Sequence, residues 1–172
     1  MEIRRITEEA AADLNLKNEP FAMPGRFIPE LKDGLWSYRI EPFDTVETDI
    51  FPDENYVFEE ISPKGIVLGS YEDGQCVGVA IFQDHWLKYM YLYDLKVSAA
   101  ARGKGIGKAL IRAGLDAAKD RGYLGIYTRA QDNNLNACMF YLKAGFAIGG
   151  FDNHVYNGTS QEGKADIIFY LS

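Results

Sequence analysis

Two histidines and two cysteines are all the chain offers in nitrogen and sulfur metal ligands. His85 and His154 lie far apart in sequence, and Cys76 and Cys138 lack CxxC spacing. A structural zinc site needs about four such ligands, so no metal is expected. Cysteine this sparse is a reducing-compartment pattern, and a cytoplasmic location is expected. No apolar run approaches the ~20 residues of a membrane span. Met1 to Thr7 lacks the charged-then-apolar order of a signal peptide. Positive charge is also short: 18 Lys and Arg against 25 Asp and Glu give a formal charge of −7. Nucleic acid and anionic lipid bind cationic surfaces, so neither nucleic acid nor membrane is an expected partner. Internal repeats and low-complexity tracts are absent too.

What is present suits a globular protein. An apolar content of 47% over 172 residues builds one domain's core without staples. Ile3 to Ile6 reads as a short strand and Glu8 to Leu16 as a helix capped by Thr7. Glu19 to Pro29, with Pro20, Pro24, Gly25 and Pro29, is expected to be a loop with fixed bends. Trp36 to Phe43 reads as a strand closed by Pro42. The acidic stretch Asp44 to Glu60 reads as a loop or short helix covering one side of a site. Ile66 to Tyr71 and Cys76 to Phe82 form a hairpin about Asp73-Gly74. Lys88 to Val97 is a third strand. Gly105 to Arg121 is a helix with Ile106, Leu110, Ala113 and Ala117 on one face. Leu124 to Thr128 is a strand, Asn134 to Ala144 a helix, and Phe146 to Phe151 and Ala165 to Leu171 two last strands. This order predicts an α/β (α+β) fold, a mixed sheet with helices packed on its faces.

The chemistry concentrates in Arg102-Gly103-Lys104-Gly105-Ile106-Gly107, between a strand and a helix. Its glycines permit positive φ and close backbone approach to a ligand. The helix start presents unpaired N–H groups and the positive end of the macrodipole. Arg102, Lys104, Lys108 and Arg112 fall in eleven residues without an acid, against the chain's overall sign. That pattern suits a diphosphate. A plain tight turn beside a solvated basic helix face is the bland alternative. A nucleotide P-loop fails, because Ala109 stands where a metal-holding hydroxyl follows the lysine. A dinucleotide GxGxxG fails as well, because Lys108 stands at the third glycine after Gly103 and Gly105. A coenzyme A pyrophosphate loop remains.

Arg102-x-x-Gly105-x-Gly107 resembles the acyl-coenzyme A signature of the GCN5-related N-acetyltransferases (GNAT). Asn134-x-x-Ala137-x-x-x-Tyr141-x-x-x-Gly145-Phe146 resembles that superfamily's last helix and following strand. Two motifs in order, about 30 residues apart, are more specific than either alone. A closer resemblance, to the streptothricin acetyltransferases, rests on Gln131-Asp132-Asn133-Asn134-Leu135, Ala137-Cys138 and Phe140-Tyr141. Glu19-Pro20-Phe21, Gly25, Pro29, Trp86 and Tyr156 extend it. The pattern departs at Tyr93 and Arg129, where acidic residues are implied. The resemblance implies a GNAT fold with a mostly antiparallel central sheet and helices on both faces. It implies one domain over 1–172, with an acceptor-side part at 1–64 and an acetyl-coenzyme A-binding core at 65–172.

It further implies direct attack of a neutral amine on the thioester of acetyl-CoA, the co-substrate, with no acyl-enzyme. Cys138 then reads as a core cysteine rather than a nucleophile. An alkylammonium with a pKa near 10 must lose a proton first. Asp94 is the candidate base; fixing the cation, or simply lining the sheet, are its other readings. Glu59 and Glu60 are reserves. Tyr141 matches the superfamily's general-acid tyrosine, with a packing tyrosine as the alternative. Leu95, Lys96 and Val97 would offer backbone groups to the pantetheine arm. Arg102, Gly103, Lys104, Gly105, Ile106, Gly107 and Lys108 would cradle the pyrophosphate. Asn134 would bond the arm or a neighbouring backbone group, next to Ala137; a plain helix N-terminal residue is its alternative. Tyr93, Trp86, Trp36 and Glu59 are the candidate acceptor contacts, since aromatic faces and carboxylates both suit ammonium groups. Strict alternation would put Tyr93 and Asp94 on opposite faces; the resemblance implies a bulge that changes this. The expected acceptor is a small cationic amine, the β-lysine part of streptothricin first. Another polyamine, an amino sugar, a protein amine, or non-catalytic acyl-CoA sensing are the alternatives. A homodimer is common among similar proteins, though no patch in the sequence specifies one.

Overall fold

The computed structural model describes all residues from Met1 to Ser172. Its strands are β1 Glu2–Arg5, β2 Phe21–Lys32, β3 Leu35–Asp49, β4 Gly65–Glu72, β5 Gln75–Gln83, β6 Tyr89–Val97, β7 Gly125–Gln131, β8 Ala147–Asp152 and β9 Asp166–Leu171. Its α-helices are α1 Phe58–Ile61, α2 Ile106–Asp120 and α3 Leu135–Lys143. The chain forms two compact units, Met1–Glu19 with Phe51–Ile126 and Ser172, and Pro20–Ile50 with Tyr127–Leu171. No helix is long and apolar enough to cross a membrane.

In the first unit the strand order is β1-β4-β5-β6, each ladder antiparallel. The Asp73-Gly74 turn has positive φ at both residues, 49° and 79°, which matches the right-handed twist of the hairpin it closes. Both faces of this sheet are covered. On one, α2 presents Ile106, Leu110, Ile111, Gly114, Leu115 and Ala118 as its buried stripe. Ala113 and Ala117, expected on that stripe, sit at its margin and are only half-buried. A Cβ on Gly114 would come within 2.0 Å of the Phe82 ring, so the glycine is what lets β5 approach the helix. On the other face Val67, Val79 and Ile81 pack with Ile6, Leu14 and Ile61. The segment Glu8–Asn15, expected as an α-helix, is a 3-10 helix kinked at Ala10, and Thr7 makes no side-chain cap bond. Three alanines and a single buried residue, Leu14, give it too little apolar stripe to hold longer α turns.

The second unit holds the β2-β3 ribbon, the strand order β7-β9-β8, and α3. Here two expectations fail. Phe21–Lys32 is a strand rather than a bent loop, and β3 runs on through Pro42 to Asp49. In a two-stranded ribbon each strand has an outer edge, where a residue without an N–H costs no ladder bond. Pro24 sits at the register break between Met23 and Gly25, and Pro42 lies opposite Gly25 beside the same break. The core of this unit is aromatic. Phe27, fully buried, stacks on Tyr38 at 4.6 Å and meets Phe169 edge-on at 6.1 Å. The observed fold class is mixed α/β with mostly antiparallel pairing, as expected.

Candidate active site

From the end of β6 the chain passes a short 3-10 turn, Ala99–Ala101, and enters α2 through Arg102 to Gly105. Gly103 and Gly105 have φ of 78° and 83°, a region where a side chain is strained. A Cβ at either would meet nothing within 4 Å, so the space over the loop is open. Gly105 is the N-cap and brings no side chain to bond the first turn; the Ala109 N–H is the one that reaches back to the Gly105 carbonyl. The N–H groups of Ile106, Gly107 and Lys108 are thereby left facing out, at the positive end of a 15-residue helix. The Arg102 Nε donates to the Val97 carbonyl at 3.1 Å. Its guanidinium also pairs with Glu19 at 3.3 Å, and the Lys104 ammonium pairs with Glu72 at 3.0 Å. Glycine backbone, free amides, open space and two exposed cations fit a pyrophosphate.

The strand that feeds this loop carries the second group. Ile81 pairs with Asp94 but Phe82 pairs with Leu92, which leaves Tyr93 as an extra residue in β6. Directly paired residues share a face. Asp94 and Lys96 pair with Ile81 and Val79, so they lie on the face of Leu14 and Ile61, away from α2. Leu92, Leu95 and Val97 pair with Phe82, Ala80 and Gly78, on the α2 face. The bulge that the family resemblance implied is therefore present, and it turns Asp94 to the same face as Tyr91, the partner of Gln83. Tyr93, 44% exposed, reaches this side as well: its ring lies 5.8 Å from Tyr91 and 6.1 Å from Tyr56.

Around Asp94 the segment after Ile50 supplies two residues the sequence reading passed over. The Tyr56 hydroxyl donates to Asp94 Oδ2 at 3.0 Å. Glu54 pairs with the Lys96 ammonium, which also lies 3.3 Å from Asp94 Oδ2 and donates to the Leu16 carbonyl at 3.3 Å. Lys96 is only 9% exposed. Burial pushes the Asp94 carboxyl above the usual carboxylate range; Lys96 opposes this and Glu54 adds to it. Burial and the nearby carboxylates raise the Tyr56 phenol as well, so it stays protonated and donates. Glu59 and Glu60 stand exposed on α1, where nothing ties them to Asp94. Glu54 and Tyr56 carried no sequence signal beyond lying in an acidic stretch. Trp86 is 86% exposed, at the rim of a cleft of about 520 Å³ shared with His85, Lys88, Arg121 and Tyr123. Its ring lies 5.8 Å from His85, which is 6.5 Å from Tyr91.

In the second unit Asn134 is the N-cap of α3, its Oδ1 accepting the Ala137 N–H at 3.2 Å. The sequence alternative of a helix N-terminal residue thus describes its oxygen, and its Nδ2 is left to donate. Cys138 is fully buried and its thiol is pushed up to about 12 by that burial, so a thiolate nucleophile is disfavoured. Tyr141 is buried, with its ring against Phe140, Phe146 and Phe169 at 5.3–5.6 Å. Arg129 is held between Asp152 at 2.8 Å and Asp166 at 3.2 Å, and Tyr156 donates to Asp166 at 2.7 Å. Trp36 lies on β3, half-buried, opposite Leu31.

Fold and loop together define a transferase that draws its acyl group from coenzyme A. The acetyltransferase (GNAT) family model matches residues 28–146, most of the chain. The chain belongs to this family and is an acetyl-CoA-dependent N-acetyltransferase. It is similar to streptothricin acetyltransferase A of Bacillus subtilis (strain 168), with 30% identity over 98% of both chains. Streptothricin acetyltransferase of Streptomyces lavendulae is also 30% identical, over 77% of this chain and 73% of that one. Among solved structures, a Bacillus anthracis str. Ames protein in complex with acetyl coenzyme A shares 29% identity at a TM-score of 0.84, covering 99% of this chain and 95% of that one.

Proposed function

We propose that the chain acetylates an amine of a small cationic antibiotic of the streptothricin class, on its β-lysine moiety. One observation carries this reading. The similarity to streptothricin acetyltransferase A runs over 98% of both chains, so it takes in the N-terminal third as well as the donor-binding motifs. The geometry supports a cationic acceptor: Asp94 and Glu54 are two carboxylates facing one ammonium, and the Tyr56 and Tyr93 rings stand beside them.

Acetyl-CoA supplies the activated thioester carbonyl. Arg102 to Lys108 hold its pyrophosphate through backbone N–H groups and the two loop cations. Leu95, Lys96 and Val97 offer backbone to the pantetheine amides, Lys96 through its main chain alone, and Asn134 Nδ2, next to Ala137, donates to the same arm. Asp94 takes the proton of the acceptor ammonium, because its raised pKa makes it a stronger base than an ordinary carboxylate. The freed amine attacks the carbonyl, the C–S bond breaks as the Tyr141 hydroxyl donates a proton to the departing thiolate, and the new amide nitrogen gives up its second proton, which restores the phenol. Tyr93, Trp86, Trp36 and Glu59 contact the acceptor. Acetylation removes one positive charge from the antibiotic, which weakens its hold on an anionic target. A cytoplasmic location belongs to this reading, supported by two free cysteines.

The test is thiol release from acetyl-CoA against streptothricin, spermidine, an aminoglycoside and a lysine peptide. The highest kcat/KM is expected with streptothricin. Preference for spermidine or the peptide would refute the substrate and leave the reaction standing.

A further inference from the structure

We propose that the Lys96 side chain is a positioning residue, which keeps Asp94 ionised and aimed, and so sets the pH at which the enzyme begins to work. The inference rests on the reading of Asp94 as the proton acceptor. It concerns a side chain for which the donor-binding role of the strand backbone gives no use.

A lysine this buried is rare unless its charge is satisfied. Here it is satisfied from three sides. Glu54 comes from the segment between β3 and α1, Asp94 from the same strand two residues back, and the Leu16 carbonyl from the end of the 3-10 segment. Its ammonium also lies 5.6 Å from the Tyr56 ring. Two residues apart on a regular stretch of β6, Lys96 and Asp94 face the same way, which places one charge beside the other, and the Tyr93 bulge sets which face that is.

The charges do not cancel. Two carboxylates and one ammonium leave one negative charge, the complement of one acceptor ammonium. Without Lys96, two carboxylates would share a half-dry pocket, and like charges in such a place force one to stay protonated. A protonated Asp94 cannot accept the acceptor's proton. The groups that face Asp94 are Lys96 on its own strand and Glu54 and Tyr56 on the covering segment, with Tyr93 flanking Tyr56. Lys96 is the one cation among them. Lys96 favours the ionised carboxylate while burial and Glu54 disfavour it, so losing the ammonium moves Asp94 towards higher pH.

The experiment compares kcat–pH profiles of Lys96→Met, Lys96→Arg and the double variant Lys96→Met/Glu54→Gln, all with the acceptor the wild type prefers. Free acceptor ionises identically in every assay, so a displaced acid limb belongs to the enzyme. For Lys96→Met the limb should move up by about one to three pH units. For Lys96→Arg it should stay near the wild type. The double variant should recover part of the displacement, since it removes the repelling carboxylate with the ammonium. The KM for acetyl-CoA should change less than about threefold in all three, given an intact β6 backbone. A Lys96→Met profile lowered equally at every pH, with no recovery in the double variant, would overturn the proposal. If Lys96→Met does not fold, the other two decide: a double variant displaced upwards while Lys96→Arg keeps the wild-type limb supports the inference, and a double variant that titrates with the wild type overturns it. A wild type that prefers spermidine leaves this test intact, because the limb is then read with spermidine.

Discussion

Burial does opposite things to the two residues of α3 that invite a chemical role. Cys138 is fully buried and its raised thiol stays protonated at neutral pH. Tyr141, buried three residues on, needs no such ionisation: a protonated phenol is the form that donates. Cys138→Ala should therefore keep kcat within about twofold and lower stability by roughly 1 kcal/mol for the lost packing. Tyr141→Phe should lower kcat by about 100-fold or more with the acetyl-CoA KM nearly unchanged. Steady-state kinetics with a thermal melt separates the two. The sequence made both residues visible through motif spacing. It left Glu54 and Tyr56 invisible, because their importance lies in contacts across about 40 residues with Asp94 and Lys96.

At the scale of elements, the loop before α2 was the most legible part of the chain. Glycines, cations and a helix start are local features, and local features survive in a single sequence. What the sequence could not disclose is that Arg102 and Lys104 already hold acids, Glu19 and Glu72. These pairs are half-exposed and each adds little to stability. On the proposed role of the loop they bear on binding instead, since an incoming diphosphate would compete with them. Reversal of both cations, Arg102→Glu/Lys104→Glu, should raise the acetyl-CoA KM by about 10-fold or more and spare the acceptor KM. Equal effects on both substrates would remove the loop from its assigned role. The prolines of β2 and β3 misled for the converse reason. Proline argues against a strand only where the ladder needs its N–H, and a sequence does not say how many neighbours a strand will have.

The whole molecule carries a charge of −7, with three carboxylates, Asp94, Asp132 and Asp166, held above their ordinary range mainly by burial. A carboxyl raised on folding favours the folded state at low pH, and that stability is lost as pH rises through the folded value. Asp152 is lowered and acts the other way, losing its stabilisation as pH falls, but its side chain is 35% exposed and solvent screening leaves it a small effect. Self-repulsion of the acidic body also eases on mild acidification. Tm should consequently rise as the pH is taken from about 8 to about 5.5, before general protonation of the remaining acids reverses the trend. Scanning calorimetry over that range checks it; a steady fall would show that the paired surface acids dominate. The fold class was readable from the sequence because it depends on the order of elements. The two-unit division was not, because each unit gathers chain from distant stretches.

Tyr93 makes the arithmetic of β6 odd. Were the ladder unbroken, Tyr93 would stand opposite Ile81 and Asp94 opposite Ala80, and the Asp94 carboxylate would turn into the apolar layer beside Met90 and Leu92. Closing the bulge with Tyr93 retained would thus exchange inside for outside along the rest of the strand without changing its composition, whereas excising Tyr93 would leave Asp94 opposite Ile81. The side on which Asp94 emerges is encoded less by its being an aspartate than by where the ladder breaks, and a comparison that scores identity alone would pass over the difference.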